Sequence, residues 1–416
     1  MTNSSVEAPR ATAARKAGIW QAILLLAGSC LPVLGAVLIT PILPQLSAVF
    51  GDQPGAEVLV PMIVAIPALM IAIFAPFAGQ IVDRLGRKRL LIIAMVAYAF
   101  VGTAPAYLES LQLILLTRVG VGITEAAIMT VCTTLIVDYF HEETQRNKYL
   151  GLQTVATTLA ATVFIVLGGA LGVGGWHTPF WVYAVSLVIA VPMVFLLWEP
   201  SRADTTDAHV AAAGRVPVPW RHLRLPLVVA LFGGFTFYVM LIETSYLLVE
   251  NGVDAADTAT IGAVAAAASL VTAAGAFSFP RLVRRGHRFV LPLAFGLQAL
   301  GMIVIWVAGG VPGVVAGAVI AGFGSGVLLP SMLTWALAGV RFEERGRSTG
   351  WWNAAFFFGQ FLTPILIGAL VAALGGLPTA VGVVGVACAL VAVALGFRLR
   401  RTAPEAAPTE EPVVAA

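Results

Sequence analysis

Long apolar runs alternate with short polar segments along the whole chain, at roughly 18–46, 58–81, 90–108, 111–137, 149–174, 178–198, 223–249, 258–280, 289–308, 312–338, 349–374 and 378–397. Each is long enough to cross about 30 Å of hydrocarbon. They are too long and too evenly apolar for barrel strands, so the pattern predicts twelve spanning helices. Pro32, Pro67, Pro105, Pro192, Pro330 and Pro364 fall inside them. A bundle tolerates such prolines as kinks. The polar start, Met1 to Lys16, leads into the first run without a small-residue cleavage site. That run is therefore expected to be a retained helix rather than a signal peptide.

Composition agrees with the pattern. Charged residues make up 11% and hydrophobic ones 59% of the 416, against about 25% charged in soluble proteins, and mean hydropathy is +0.94. Cys30, Cys132 and Cys388 are isolated within apolar runs, with neither disulfide nor metal-ligand spacing. No metal or other cofactor is expected.

Charge placement fixes an orientation. With both termini and every second loop on one side, that side receives 23 of the 24 basic residues. The other side receives none, but carries Asp52, Glu57, Glu109, Glu250, Asp254 and Asp257. The positive-inside rule then predicts cytoplasmic termini and a cell (inner) membrane location. The remaining basic residue, Arg118, lies inside the fourth helix. Because the basic residues trace the membrane boundary, nucleic-acid binding has no support.

The chain also repeats itself. Asp83-Arg84-Leu85-Gly86-Arg87-Lys88 has a degenerate echo in Val283-Arg284-Arg285-Gly286-His287-Arg288. Phe140-His141-Glu142-Glu143 is echoed by Phe342-Glu343-Glu344, and Gly168 by Gly368. The expected organisation is a cytoplasmic tail (1–17), a six-helix bundle (18–198), a flexible cytoplasmic linker (199–222), a second bundle (223–399) and a tail (400–416). This is an all-α integral membrane architecture of two pseudo-symmetric halves. Parallel duplication of that kind describes an alternating-access carrier with its site between the halves.

At these residues the chain resembles the major facilitator superfamily. The run Gly79-Gln-Ile-Val-Asp83-Arg84-Leu-Gly86-Arg87-Lys88-Arg89 is similar to the family's loop between helices two and three. The fourth-helix pattern around Arg118 and Gly122 and the eleventh-helix run Gly359 to Gly368, with Pro364, also resemble the family. The resemblance implies that Gly79, Asp83, Arg84, Gly86, Arg87 and Lys88 form a latch that holds the inner gate shut. Within the family, Gly122-Ile-Thr-Glu125-Ala126 and Asp138-Tyr-Phe resemble the Spinster-like branch. There the matching arginine and glutamate are tied to proton-linked movement of lysolipids and related amphiphiles. The first-helix carboxylate of that branch is missing here: Gly28 to Gln45 holds no acid or base.

Three charges fall inside spanning segments: Arg118, Glu125 and Glu243. An intramembrane charge is costly and is read as functional by default. Arg118 and Glu125, seven residues apart, share a helix face at about 10 Å; a water or a polar side chain could bridge them. Taking a carboxylate out of water disfavours its charged form, so Glu125 is expected to take up and release a proton under the influence of Arg118. Glu243, in the outer half of the seventh helix, is expected to face Arg118 across the cavity.

Thr40, Gln45, Phe235, Tyr238, Trp335, Asn353 and Gln360 are the further cavity candidates. Aromatic surface with a few amides suits a lipophilic or aromatic solute. The expected function is therefore proton-coupled transport of a small organic solute, with efflux favoured, by a monomer whose partners are solute, protons and lipid. Uptake of an organic anion or metabolite, and lysolipid transport, are the alternatives. All five histidines lie in loops or at helix ends, which argues against an intramembrane enzyme.

Overall fold

The computed structural model of the chain describes residues 17–78, 81, 86–200 and 218–401. Gly79, Asp83 and Arg84 of the loop motif lie outside the described residues, as do most of the expected linker and tails. Among the described residues twelve helices are long and apolar enough to cross a membrane. They are α1 (Ile19–Phe50), α2 (Ala56–Phe77), α3 (Arg87–Ala106), α4 (Leu111–Tyr139), α5 (Glu143–Gly172), α6 (Thr178–Leu196), α7 (Trp220–Glu250), α8 (Thr258–Arg285), α9 (His287–Ala308), α10 (Gly310–Leu337), α11 (Glu344–Leu374) and α12 (Leu377–Leu399). Every run in the sequence becomes one of them.

Prolines shape several spans. Pro41 and Pro44 withhold two amides from α1, and the chain tightens into a single 3₁₀ turn at Thr40–Ile42 before resuming the helix. Pro32, Pro67, Pro192, Pro330 and Pro364 sit within continuous helix as expected. Pro105 instead lies in the turn Ala104–Ala106 that ends α3. Two acidic-face ends carry side-chain caps: Ser110 accepts from the Leu113 amide at 3.5 Å, and Asp257 from the Thr260 amide at 3.1 Å.

One buried apolar cluster, from Ala22 to Leu197, fills the space among α1–α6. Two others fill the space among α7–α12. Tyr238 and Ile242 of α7 are packed into the first half's cluster. The halves meet along α2 against α11 and α5 against α8. For orientation, the side holding the start of α1 and the end of α12 is termed the basic face, and the other the acidic face.

The halves are sealed at the acidic face. A Cβ on Gly169 would lie 2.6 Å from the Thr258 carbonyl oxygen and 2.9 Å from Gly262 Cα, so α5 and α8 cross with backbone against backbone. Thr258 donates to the Gly169 carbonyl at 2.8 Å. The Ser47 and Tyr246 hydroxyls meet at 3.0 Å, joining α1 to α7. Deeper in, Thr162 and Ser269 join α5 to α8 at 2.9 Å, and Tyr238 donates to the Val64 carbonyl of α2 at 2.9 Å. Toward the basic face α5 and α8 part, whereas α2 and α11 stay close: a Cβ on Gly350 would lie 3.1 Å from the Ala75 carbonyl oxygen.

Candidate functional site

The parting of α5 from α8 leaves a cavity of about 660 Å³. Its walls come from α1, α5, α7, α8 and α10, and they run to the basic-face ends at Gly151 of α5 and Pro280 of α8. Small residues on α8 and α10, such as Ala265, Ala268 and Gly322, leave the space. Threonines at positions 154, 157 and 158 supply most of the polarity of the α5 wall, with Ser269 and Thr272 opposite on α8. None of the lining residues is charged.

None of Thr40, Gln45, Phe235, Tyr238, Trp335, Asn353 and Gln360 lines this cavity. Thr40 is buried and donates to the Val37 carbonyl at 2.9 Å. Gln45 is half-buried, with its Oε1 facing no donor. Phe235 is buried in the second half's core beside Phe232. Tyr238 bridges the halves, Trp335 packs against the second half's basic-face cluster, Asn353 is half-buried and Gln360 is buried. The sequence placed the polarity on long side chains. The structure places it on short hydroxyls at three- and four-residue spacing along α5, a pattern visible in the sequence as one helix face.

The three intramembrane charges are all buried, with Arg118 0%, Glu125 1% and Glu243 5% exposed. Arg118 is held entirely by the first half. It donates to the Tyr183 hydroxyl at 3.1 Å and to the carbonyls of Val101 and Gly102 at 3.2 and 3.3 Å. It also lies 5.3 Å and 5.2 Å from the ring centroids of Phe180 and Tyr183, within cation–π range. Among the described residues it has no carboxylate in contact.

Glu125 stands inside the first half rather than on the cavity wall. Its carboxylate fills the space beside Gly35 of α1, where any Cβ would overlap it. One oxygen, Oε1, meets no donor. The Tyr98 hydroxyl is within reach of the carboxylate, and that hydroxyl donates to the Leu31 carbonyl at 2.6 Å. The Tyr98 and Tyr183 rings pack 5.1 Å apart. Two packed tyrosines, Tyr98 of α3 beside Glu125 and Tyr183 of α6 beside Arg118, thus lie between the charges, a connection the sequence named only as a polar side chain. Its signal was present: a phenol deep in an apolar span needs a partner for its hydroxyl.

Glu243 does not meet Arg118. It lies on the α7 face shared with Val239 and Leu247, which are buried in the second half's core, while Arg118 is enclosed among α3, α4 and α6. The predicted facing pair is absent because α7 turns its Tyr238 and Ile242 side, not its Glu243 side, toward the first half.

At the basic face the described part of the loop motif forms a tight network. Gly86 adopts φ +82°, a left-handed conformation that suits glycine, and starts α3. The Glu199 carboxylate then accepts the Arg87 and Lys88 amides at 2.5 and 3.0 Å, placing an anion on the helix N-terminus. The Arg87 side chain pairs with Asp138 of α4, both largely buried, and Lys88 Nζ donates to the Val194 carbonyl at 2.7 Å. Motif reading found Arg87 and Lys88. It did not find Glu199, whose separation of 112 positions from Arg87 hides the contact.

Comparison with known proteins follows the same lines. A tetracycline resistance protein, class H, from Pasteurella multocida is 28% identical over 195 residues, covering 47% of this chain and 47% of that protein. The protein spinster homolog 1 of Bos taurus is 27% identical over 183 residues, 43% of this chain and 34% of its own. The matched stretch thus spans half or less of each relative's length. A crystal structure of a bacterial homolog of the human lysosomal transporter Spinster superposes with a TM-score of 0.73 at 17% identity, covering 92% of this chain and 96% of that one, a likeness of fold. The profile of the Major Facilitator Superfamily matches residues 25–254 and 254–415, and with twelve spanning helices in that fold the chain is a multi-pass membrane protein belonging to the major facilitator superfamily.

Proposed function

We propose that this protein is a proton-coupled exporter of small lipophilic or aromatic solutes, working as a monomer by alternating access in the cell (inner) membrane with its basic face cytoplasmic. The observation that carries this reading is Glu125: a buried carboxylate with one oxygen facing no donor, close enough to Arg118 to feel its charge, and packed against α1, which contacts the second half. An ion in that position carries a desolvation cost that protonation removes. Tyr98, Tyr183 and Arg118 set how large the cost is in each conformation. Rocking of the halves moves α7, with Tyr238, relative to α4 and Glu125, and proton occupancy thereby follows the conformation. Tyr238 of α7, which also feels the charge of Glu125, ties this site to the second half. Glu243, buried in the second half, is assigned a secondary part in the same coupling.

The apolar cavity supports a lipophilic solute, and an organic anion would find no cation on its wall. The relative named for tetracycline resistance supports export. With the acidic face sealed, the described conformation is open to the cytoplasm in this reading. Everted vesicles containing the protein, made acidic inside, should accumulate a neutral aromatic solute such as chloramphenicol and lose it on addition of an uncoupler. Accumulation indifferent to the uncoupler would overturn proton coupling.

Gly79, Asp83, Arg84, Gly86, Arg87 and Lys88 are assigned the latch, with Asp138 and Glu199 as its anchors. Asp138→Asn removes the carboxylate that pairs with the Arg87 side chain, a loss of up to about 3 kcal/mol. It should lower turnover severalfold with KM changed by less than about twofold, as expected for an interaction that favours one conformation rather than solute binding. Transport kinetics in proteoliposomes and a melting curve check both; a change confined to KM would refute the latch.

A further inference from the structure

The hydroxyls on the cavity wall are not equivalent. Thr154, Thr158, Thr244 and Thr272 all donate to carbonyls of their own helices: Thr158 to Thr154 at 2.7 Å, Thr272 to Ala268 at 2.9 Å, Thr154 to Leu150 at 3.3 Å, and Thr244 to Met240. Their protons are committed, and they offer the cavity lone pairs alone. Ser269 of α8 and Ser325 of α10 are the exceptions: Ser269 pairs with the Thr162 hydroxyl at 2.9 Å across the helix crossing, and Ser325 ends a buried chain. Ser325 makes no bond to its own helix, and its Oγ accepts a hydrogen bond from Gln298 Nε2 of α9 at 2.8 Å. Gln298 is fully buried, and its Oε1 accepts in turn from the Thr236 hydroxyl of α7 at 2.9 Å. A primary amide accepts at one end and donates at the other, and with Thr236 donating to Gln298 at 2.9 Å rather than to the Gly233 carbonyl at 3.2 Å the polarity of the chain runs from Thr236 through Gln298 to Ser325. The hydroxyl proton at its end has no acceptor among the described residues, and Ser325 lies on the cavity wall.

We propose that the cavity takes an uncharged, largely apolar solute bearing a hydrogen-bond acceptor, a carbonyl or ether oxygen, and that Ser325 donates to it while Gln298 holds the serine in that orientation. The proposal rests on the reading of this cavity as the transport cavity and adds to it the class of solute. A wall without charge does not compensate the desolvation of an ion. In so apolar a space one oriented donor decides which neutral molecules are held in a defined pose. Gln298 touches no solute and is a positioning residue.

Progesterone, with two carbonyl oxygens and no donor, and 5α-pregnane, the same skeleton without oxygen, test the proposal on the full-length protein in nanodiscs, with rhodamine 123 as a cationic control. Wild type should bind progesterone more tightly than pregnane. Ser325→Ala should weaken progesterone by about tenfold, the scale of one net hydrogen bond, and leave pregnane unchanged. Ser325→Thr, which keeps a hydroxyl, should retain most of the preference. Gln298→Met should reduce the preference between the two steroids without abolishing pregnane binding, which a merely structural defect would not spare. Ala265→Trp, which fills the cavity, distinguishes the cavity from the donor within it. If progesterone binding survives Ala265→Trp, the cavity reading itself fails. If Ala265→Trp blocks binding but Ser325→Ala leaves the progesterone preference intact, the cavity stands and the donor site is overturned. Binding of rhodamine 123 in place of both steroids, blocked by Ala265→Trp, would overturn the neutral class alone.

Discussion

Replacing Glu125 by glutamine should reduce pH-driven accumulation to the leak level, a loss of at least about tenfold, while the protein still folds and inserts. Glutamine matches the shape of the protonated acid, fits the space beside Gly35, and removes the ion whose burial is costly. Stability should therefore be unchanged or raised. The diagnostic measurement is exchange: solute moving down its own gradient should continue in Glu125→Gln when uphill transport has stopped, because the conformational cycle no longer waits for a proton. Normal uphill transport by this variant would remove Glu125 from the coupling. A loss of both activities with intact folding would make it a residue of the cycle itself rather than of proton handling.

The second large effect is expected at Gly169. Its hypothetical Cβ meets the Thr258 carbonyl and Gly262 Cα, backbone atoms that cannot rotate aside. Gly169→Leu should therefore oppose closure of the acidic face by about 3 kcal/mol, over a hundredfold in the balance of states. Each half keeps its own buried cluster, so expression should survive while transport falls to background. The check is accessibility. Thr162→Cys sits deep at the α5–α8 contact, and an impermeant maleimide added from the acidic face should label it far faster in the Gly169→Leu background. Equal labelling in the two backgrounds would show that the crossing is not a gate.

The twelve spans were legible because hydrocarbon leaves the backbone few options: uninterrupted apolar runs must be helices, and the basic residues mark one end of each. Arg118 and Glu125 were legible for the same reason, as charges where charges are costly. What the sequence hid was connectivity. Arg118 meets Tyr183 across 65 positions and Arg87 meets Glu199 across 112, pairings that only the packing of α3, α4 and α6 brings together. The predicted Arg118–Glu243 pair failed because helix rotation, which apolar periodicity fixes weakly when every face is apolar, decides which side of α7 faces the first half. The cavity was missed for a different reason. Large aromatics drew attention, but space is made by alanine and glycine, and here the walls are Ala265, Ala268 and Gly322 with threonines between.

A cavity wall without ionisable groups also decides what a membrane voltage can do. In the proposed export, a neutral solute leaving in exchange for one entering proton moves one net charge per cycle. The electrical potential then works on the pump together with the pH difference, at about 2.3 kcal/mol per charge for each 100 mV. A potential of that size could alone sustain a solute ratio of about fifty. A monovalent cation leaving by the same exchange would cancel the charge and make the cycle blind to voltage, so the chemistry of the wall sets the currency in which the cell can drive this carrier.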